Sequence, residues 1–247
     1  MSEHTGRTAL VTGAAGGIGA AITTRLQQDG WSVLGVDLHD DAPTVGLAAD
    51  LTSREANREA VEEAVRRFGR LDAVIPNAGI QHVAPVAEFP EDRWDAILAL
   101  MLTSPFLLAR YAWPHLVRSD APRYVAIASA HALAASPFKS AYVSAKHGVL
   151  GLVRTLALEG AAEGLCATAV CPGYVRTPLV EGQIAAQAEV HGLSEERVLE
   201  DVILAPQAIK RLIEPEEVAG VVAFLLGPGG AAFTGVPVTM DLGWTAR

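Results

Sequence analysis

Thr8-Ala-Leu-Val-Thr12-Gly13-Ala14-Ala15-Gly16-Gly17-Ile18-Gly19 is the stretch that decides how this chain folds. Thr8–Thr12 has the composition of a short buried strand, and residues 17–29 read as the helix that follows. Glycines between them let the backbone turn tightly. They also let a pyrophosphate approach the helix N-terminus, where free N–H groups and the helix dipole favour an anion. The spacing is G-x-x-G-G-x-G, a longer variant of the G-x-G-x-x-G dinucleotide fingerprint. A glycine cluster alone suits any strand-to-helix turn. With a strand before it, a helix after it and a second matching strand beyond, it reads as a dinucleotide site. Thr12, Gly13, Gly17, Ile18 and Gly19 are its candidate binding residues.

The second strand is Ser32-Val-Leu-Gly-Val-Asp37. An acidic residue at the carboxyl end of this strand can accept hydrogen bonds from the adenosine ribose hydroxyls and would repel a 2′-phosphate. Arg25, within the helix, is the only basic residue between Gly13 and Asp37, so the expected cofactor is NAD rather than NADP. Onward, strands and helices alternate. Strands are expected at 45–48, 73–75, 124–128, 166–170 and 237–240, and helices at 54–68, 93–117, 141–163 and 215–226. Alternation of this kind predicts an α/β fold: one doubly wound, Rossmann-type domain over residues 1–247, with a parallel sheet of about seven strands and helices on both faces. The connection from Asp37 to Asp50 is too short for a crossover helix plus a strand. Residues 178–214 form a long helical insertion rich in Glu, Ala and Gln, placed to act as a substrate lid.

A chain of 247 residues that is half apolar can bury a large core, and a formal charge of −9 argues against nucleic acid or anionic membrane as partners. No apolar run approaches a membrane span, and Met1-Ser-Glu-His-Thr-Gly6 is unlike a signal peptide, so a cytoplasmic location is expected. Cys166 and Cys171 fall on opposite sides of one strand, which predicts two buried thiols, no disulfide and no metal site.

The chemistry is concentrated in Tyr142-Val-Ser-Ala-Lys146, with Ser129 upstream. A phenol titrates near ~10 and is a poor base at neutral pH. Lys146, one helical turn on, would favour the phenolate and lower that value, and Ser129 adds a hydroxyl to hold a substrate oxygen. Together they suit proton transfer to or from an alcohol or ketone.

With these residues in order, the chain resembles the short-chain dehydrogenase/reductase family along essentially its whole length. The resemblance rests on the loop Thr12–Gly19, the Asn77-Ala78-Gly79 turn, Ser129, Tyr142, Lys146 and the Pro172-Gly173 turn. It implies that Tyr142 is the acid/base and that Lys146 serves both the ribose and the acidity of the tyrosine. It further implies Asp50 and Leu51 beside adenine, Val175 and Thr177 at the nicotinamide carboxamide and a phosphate, and a homotetramer.

The resemblance is closest to that family's bacterial D-3-hydroxybutyrate dehydrogenases, through 77–85, 127–133, 139–148 and the ending Gly243-Trp-Thr-Ala-Arg247. In that branch a small carboxylate is held by two glutamines, a histidine and a lysine, which here match Gln81, Gln183, His131 and Lys139, with Tyr174 on the pocket wall. A four-carbon acid offers little apolar area, so specificity must come from charge and hydrogen bonds. The implied reaction is NAD-dependent interconversion of (R)-3-hydroxybutyrate, or a similar short 3-hydroxy acid, and its 3-oxo acid. Two other readings stay open: turnover of a different polar alcohol or ketone, and a catalytically weak NAD-binding protein. The second arises because Met101 stands where the family has a catalytic asparagine. Pro76, Tyr174 and Leu242 also depart from the branch, where an asparagine, a tryptophan and a glycine are usual.

Overall fold

The computed structural model describes residues 6–246, so Met1–Thr5 and Arg247 of the C-terminal motif lie outside the described residues. The chain runs β1 (Thr8–Thr12), α1 (Gly17–Gln28), β2 (Ser32–Asp37), β3 (Leu47–Ala48), α2 (Arg54–Phe68) and β4 (Ala73–Ile75). It continues through α3 (Glu91–Leu98), a π-helical turn (Ala99–Thr103), α4 (Ser104–Leu116), β5 (Arg123–Ile127), α5 (Ser140–Glu159) and β6 (Cys166–Pro172). The insertion holds α6 (Pro178–His191), α7 (Glu195–Val198) and a second π turn (Leu199–Ile203), before α8 (Pro215–Leu226) and β7 (Pro237–Met240).

All seven strands are parallel, in the order β3-β2-β1-β4-β5-β6-β7. Each central strand is buried on both faces, so its side chains alternate between two cores. Ala9 and Val11 of β1 face the layer that packs under α1 and α8, while Leu10 faces the layer under α2, α4 and α5. Ala73 and Ile75 against Val74, and Val125 and Ile127 against Tyr124 and Ala126, repeat the pattern.

Local signals explain the boundaries. α2 begins where the Ser53 side chain accepts from Ala56 N, and ends at Gly69, whose φ of 76° is left-handed. α8 opens on Pro215 with a reciprocal capping box between Glu214 and Glu217. Several expected elements are shifted. β3 shortens to two residues because Thr44 folds back to donate its hydroxyl to Ala14 O at 2.6 Å, which holds the preceding residues in a turn. β6 runs on to Pro172 because it pairs with β7 as far as Met240. The expected helix 141–163 stops at Glu159, where Gly160 leaves the helix and a 3₁₀ turn (Ala161–Glu163) follows.

Two corrections concern composition. Cys171 is buried, but Cys166 at the start of β6 is only half-buried, since a strand's first residue lies at the sheet margin. The helix over Glu91–Leu116, 26 residues, is long and apolar enough to cross a membrane by length and composition. That apolarity is spent internally, against α2 and α5.

The insertion is tied at its base. Val175 bridges Ile213 in parallel, Ile213 N donates to Tyr174 O at 2.9 Å, and Arg176 pairs with Glu214 at 3.1 Å. Above this neck, Val180, Ile184, Val198, Ile203, Leu204 and Leu212 form a small core of their own with Tyr174.

Candidate active site

Every strand of a parallel sheet presents its carboxyl end to the same edge, and a crevice opens where the strand order reverses. Here the reversal lies between β1 and β4, and a cavity of about 640 Å³ lies along that edge. It extends from Asp37, Leu38 and His39 past Gly16 and Ile18 to Ser129, Tyr142 and Lys146.

The glycine loop is shaped by Thr12 and Asn77. Thr12 Oγ1 accepts from Asn77 N at 2.9 Å and Ala78 N at 3.0 Å, and Asn77 Nδ2 donates to Thr12 O at 2.9 Å and Gly13 O at 3.2 Å. A Cβ on Gly19 would lie 1.9 Å from Gly13 O, and one on Gly17 would lie 2.8 Å from Thr177 Cγ2. Thr12, Gly17 and Gly19 shape the loop whose neighbours line the cavity. Gly13, Ile18, Asp50, Leu51, Asn77, Ala78, Gly79, Pro172, Gly173, Val175 and Thr177 all line it. Asp37 lines it too, with Oδ2 accepting from Ala15 N at 2.8 Å and Oδ1 from Leu38 N at 2.7 Å. Asp50 takes Thr52 N and Oγ1 at 3.0 and 2.7 Å. The lining fits a dinucleotide: an accepting carboxylate at one end, an open helix N-terminus in the middle, and a proton-handling group at the other end.

That group is Ser129, Tyr142 and Lys146. Ser129 ends the β5 strand-to-loop transition, and its Oγ accepts from His131 N at 3.1 Å and hydrogen-bonds Tyr142. Lys146 is buried, its Nζ 5.6 Å from the centre of the Tyr142 ring and donating to Ile127 O at 2.7 Å. The expectation that Lys146 holds the phenol below its ordinary range is not met in this structure. Burial pushes Tyr142 up, the Ser129 hydrogen bond opposes it only in part, and burial draws Lys146 itself down to about 8.

Gln81, His131, Lys139, Tyr174 and Gln183 all meet at the far end of the cavity. Lys139, at the N-terminus of α5, is 3% exposed and donates to Tyr174 Oη at 3.1 Å and Gln183 Oε1 at 3.0 Å. Burial brings it down to about 8, and no carboxylate among the described residues pairs with it. Gln81 Oε1 accepts from His82 N at 3.0 Å, which leaves its buried Nε2 without a partner. His131 is held neutral by burial, the nearby Lys139 and His147, with a value of about 3. Its Nδ1 lies 3.4 Å from Ser129 Oγ and its Nε2 3.0 Å from Ser136 Oγ.

Trp244 also lines the cavity, its ring centre 4.8 Å from His131 and 6.1 Å from Tyr174. Nothing in the sequence marked it beyond membership of the C-terminal motif. Met101 occupies the middle of the first π turn, 2% exposed, between this cavity and a small void of about 10 Å³ that also touches Lys146 and Ser104. No group of His, Cys, Asp or Glu that could hold a metal occurs among the described residues.

Comparison with known proteins agrees with this geometry. A family model described as enoyl-(acyl carrier protein) reductase, of the short-chain dehydrogenase type, matches residues 13–245. The D-beta-hydroxybutyrate dehydrogenase of Rhizobium meliloti is 42% identical over 98% of this chain and 99% of its own length. That of Cupriavidus necator is 38% identical over the same shares. Among solved structures, Thermoplasma acidophilum aldohexose dehydrogenase superposes with a TM-score of 0.89 at 29% identity, covering 100% of this chain and 96% of that one.

Proposed function

The chain belongs to the short-chain dehydrogenase/reductase family, an oxidoreductase using a nicotinamide dinucleotide, and on that premise we propose that it interconverts (R)-3-hydroxybutyrate and acetoacetate with NAD. One observation carries the choice of substrate: Lys139, a buried ammonium on the cavity wall, has hydrogen-bond acceptors but no counter-charge. A buried charge without a partner is costly, and a carboxylate ligand would supply that partner. The unpartnered Nε2 of Gln81 offers a second donor to the same ligand.

When bound, the nicotinamide ring supplies the hydride acceptor. Tyr142 would take the hydroxyl proton of the alcohol as hydride leaves the carbinol carbon, and the Ser129 hydroxyl would hold the substrate oxygen on which charge develops. Lys146 places a positive charge 5.6 Å from the Tyr142 ring centre, where it attracts the phenolate as the proton moves, although burial still holds the phenol above its ordinary range. Asp37, at the ribose end, favours NAD over NADP by charge repulsion of a 2′-phosphate.

The test is turnover on 3-hydroxybutyrate, larger 3-hydroxy acids and neutral alcohols, with NAD and NADP, for the protein and for Lys139→Ala. The expected result is a preference for the short acid and at least about tenfold higher kcat/KM with NAD, equivalent to ~1.4 kcal/mol. Lys139→Ala should raise KM for the acid by roughly ten- to a hundred-fold, the loss of a charged hydrogen bond worth about 1.5–3 kcal/mol. A neutral alcohol should be little affected. Equal losses on both substrates would make Lys139 structural, and equal use of both cofactors would remove Asp37 from the argument.

A further inference from the structure

We propose that Tyr174 is a specificity-determining residue: its hydroxyl keeps Lys139 charged and offers the substrate carboxylate a further hydrogen bond. The inference rests on the acid-substrate reading above and adds a residue to it. Tyr174 follows β6 at the neck of the insertion and lines the cavity, 8% exposed. Lys139 Nζ donates to its oxygen at 3.1 Å and to Gln183 Oε1 at 3.0 Å. A phenol carries one proton and accepts through its lone pairs. Because Lys139 takes up the acceptor side, the Tyr174 O–H remains as a donor toward the cavity. The same holds for Gln183, whose oxygen is engaged and whose amide N–H groups remain. The third ammonium proton of Lys139, Tyr174 O–H, the Gln183 amide and Gln81 Nε2 therefore make a lining of donors alone. Such a lining suits an anion and leaves the proton of a neutral hydroxyl with no acceptor.

The phenol does not compete as an anion, because burial and the neighbouring Tyr142 push it up to about 12. The groups facing Lys139 are His131 from the β5–α5 connection, Tyr142 from α5, Tyr174 after β6 and Gln183 from α6, with His147 of α5 behind His131. None is acidic. The ammonium thus depends on dipoles from Tyr174 and Gln183 to stay protonated against burial.

The decisive variant is Tyr174→Phe, which keeps the ring against His131 and Trp244 and removes the oxygen. KM for 3-hydroxybutyrate should rise about tenfold with kcat near that of the parent, and a neutral alcohol should be unaffected. The pH profile gives a readout that packing alone would not move. Acid binding needs protonated Lys139, so KM rises as pH climbs through its value. Without the Tyr174 oxygen Lys139 loses its proton more readily, so the rise must begin at lower pH. If the phenylalanine form does not fold, Tyr174→Met, whose thioether is at best a weak acceptor for Lys139, should show the same displacement. Competition by butyrate, a carboxylate that cannot react, against the NADH complex reports binding without turnover. An unmoved pH limb with unchanged acid KM overturns the proposal, as does an equal loss on the neutral alcohol. If the parent protein itself shows no preference for acids, it is the functional reading that fails instead.

Discussion

At the scale of the residue, Met101 is the position where sequence and chemistry pull apart. A thioether accepts weakly and donates nothing, so it cannot take over the hydrogen bonds of an amide. The structure gives it a packing role: Met101 joins Ile97, Ala141 and Ala145 in a small cluster, with its Cε and Sδ against Gly79. On its inner side the void of about 10 Å³ reaches Lys146, Thr12 and Ser104, at the lower limit of the room one water needs. One water in that void could touch Lys146 beside the thioether and relay its proton in place of the amide. Met101→Asn should leave kcat within a few-fold of the parent and leave NAD affinity unchanged. A gain of tenfold or more, about 1.4 kcal/mol, together with a smaller solvent isotope effect, would show instead that the parent lacks a working relay. The types and spacing of Ser129, Tyr142 and Lys146 were legible in the sequence. The direction of Tyr142's shift was not, because it depends on how deeply the phenol is buried, which spacing does not report.

At the scale of the element, the insertion behaves as a unit with its own core and a narrow neck. Its α6 brings Gln183 to Lys139, and its far end is tied down where Ala208 N and Ile209 N both donate to Leu242 O, at 2.8 and 3.1 Å. Leu242 holds a φ of 53°, a left-handed conformation that costs a leucine roughly 1–2 kcal/mol, and these two bonds help offset the strain. We expect the insertion to act as a lid that closes on bound substrate, since it carries one wall of the cavity on few ties to the sheet. Hydrogen exchange should slow across 178–210 when NAD and 3-hydroxybutyrate are added together, and change less with NAD alone. Unaltered exchange with both ligands would count against closure. The insertion's existence and helical character followed from its composition. Its small core around Tyr174 did not, since it joins residues from α6, α7, the second π turn and the neck.

At the scale of the whole molecule, the edge of the sheet opposite the cavity is held by Asp72. This carboxylate, buried at the mouth of β4, accepts from Thr8 N at 2.8 Å, Arg70 Nε at 2.8 Å and Ser119 Oγ at 2.5 Å. Burial opposes its ionisation, yet the hydrogen bonds from Arg70, Ser119 and Thr8 prevail and hold it below the ordinary carboxylate range. A depressed folded value means stability that is complete above the unfolded value, near ~3.9, and is lost as pH falls through the folded one. Asp72→Asn should cost about 2–3 kcal/mol in urea unfolding at neutral pH, and the gap to the parent should close on acidification. A gap that stays constant into strong acid would remove Asp72 from the acid limb. The sequence by itself determined the doubly wound sheet, because strand and helix periods, caps and glycines act over short stretches of chain and say the same thing wherever they occur. It also determined the residue types of the reacting group. The tertiary structure alone decided that Lys139 is a buried cation without a counter-charge among the described residues, that Trp244 lines the same pocket, and that Thr12 and Gly19 pack the glycine loop against Asn77 and Gly13. Those are properties of residues far apart in the chain, and burial, charge pairing and close approach exist only once the fold has brought them together.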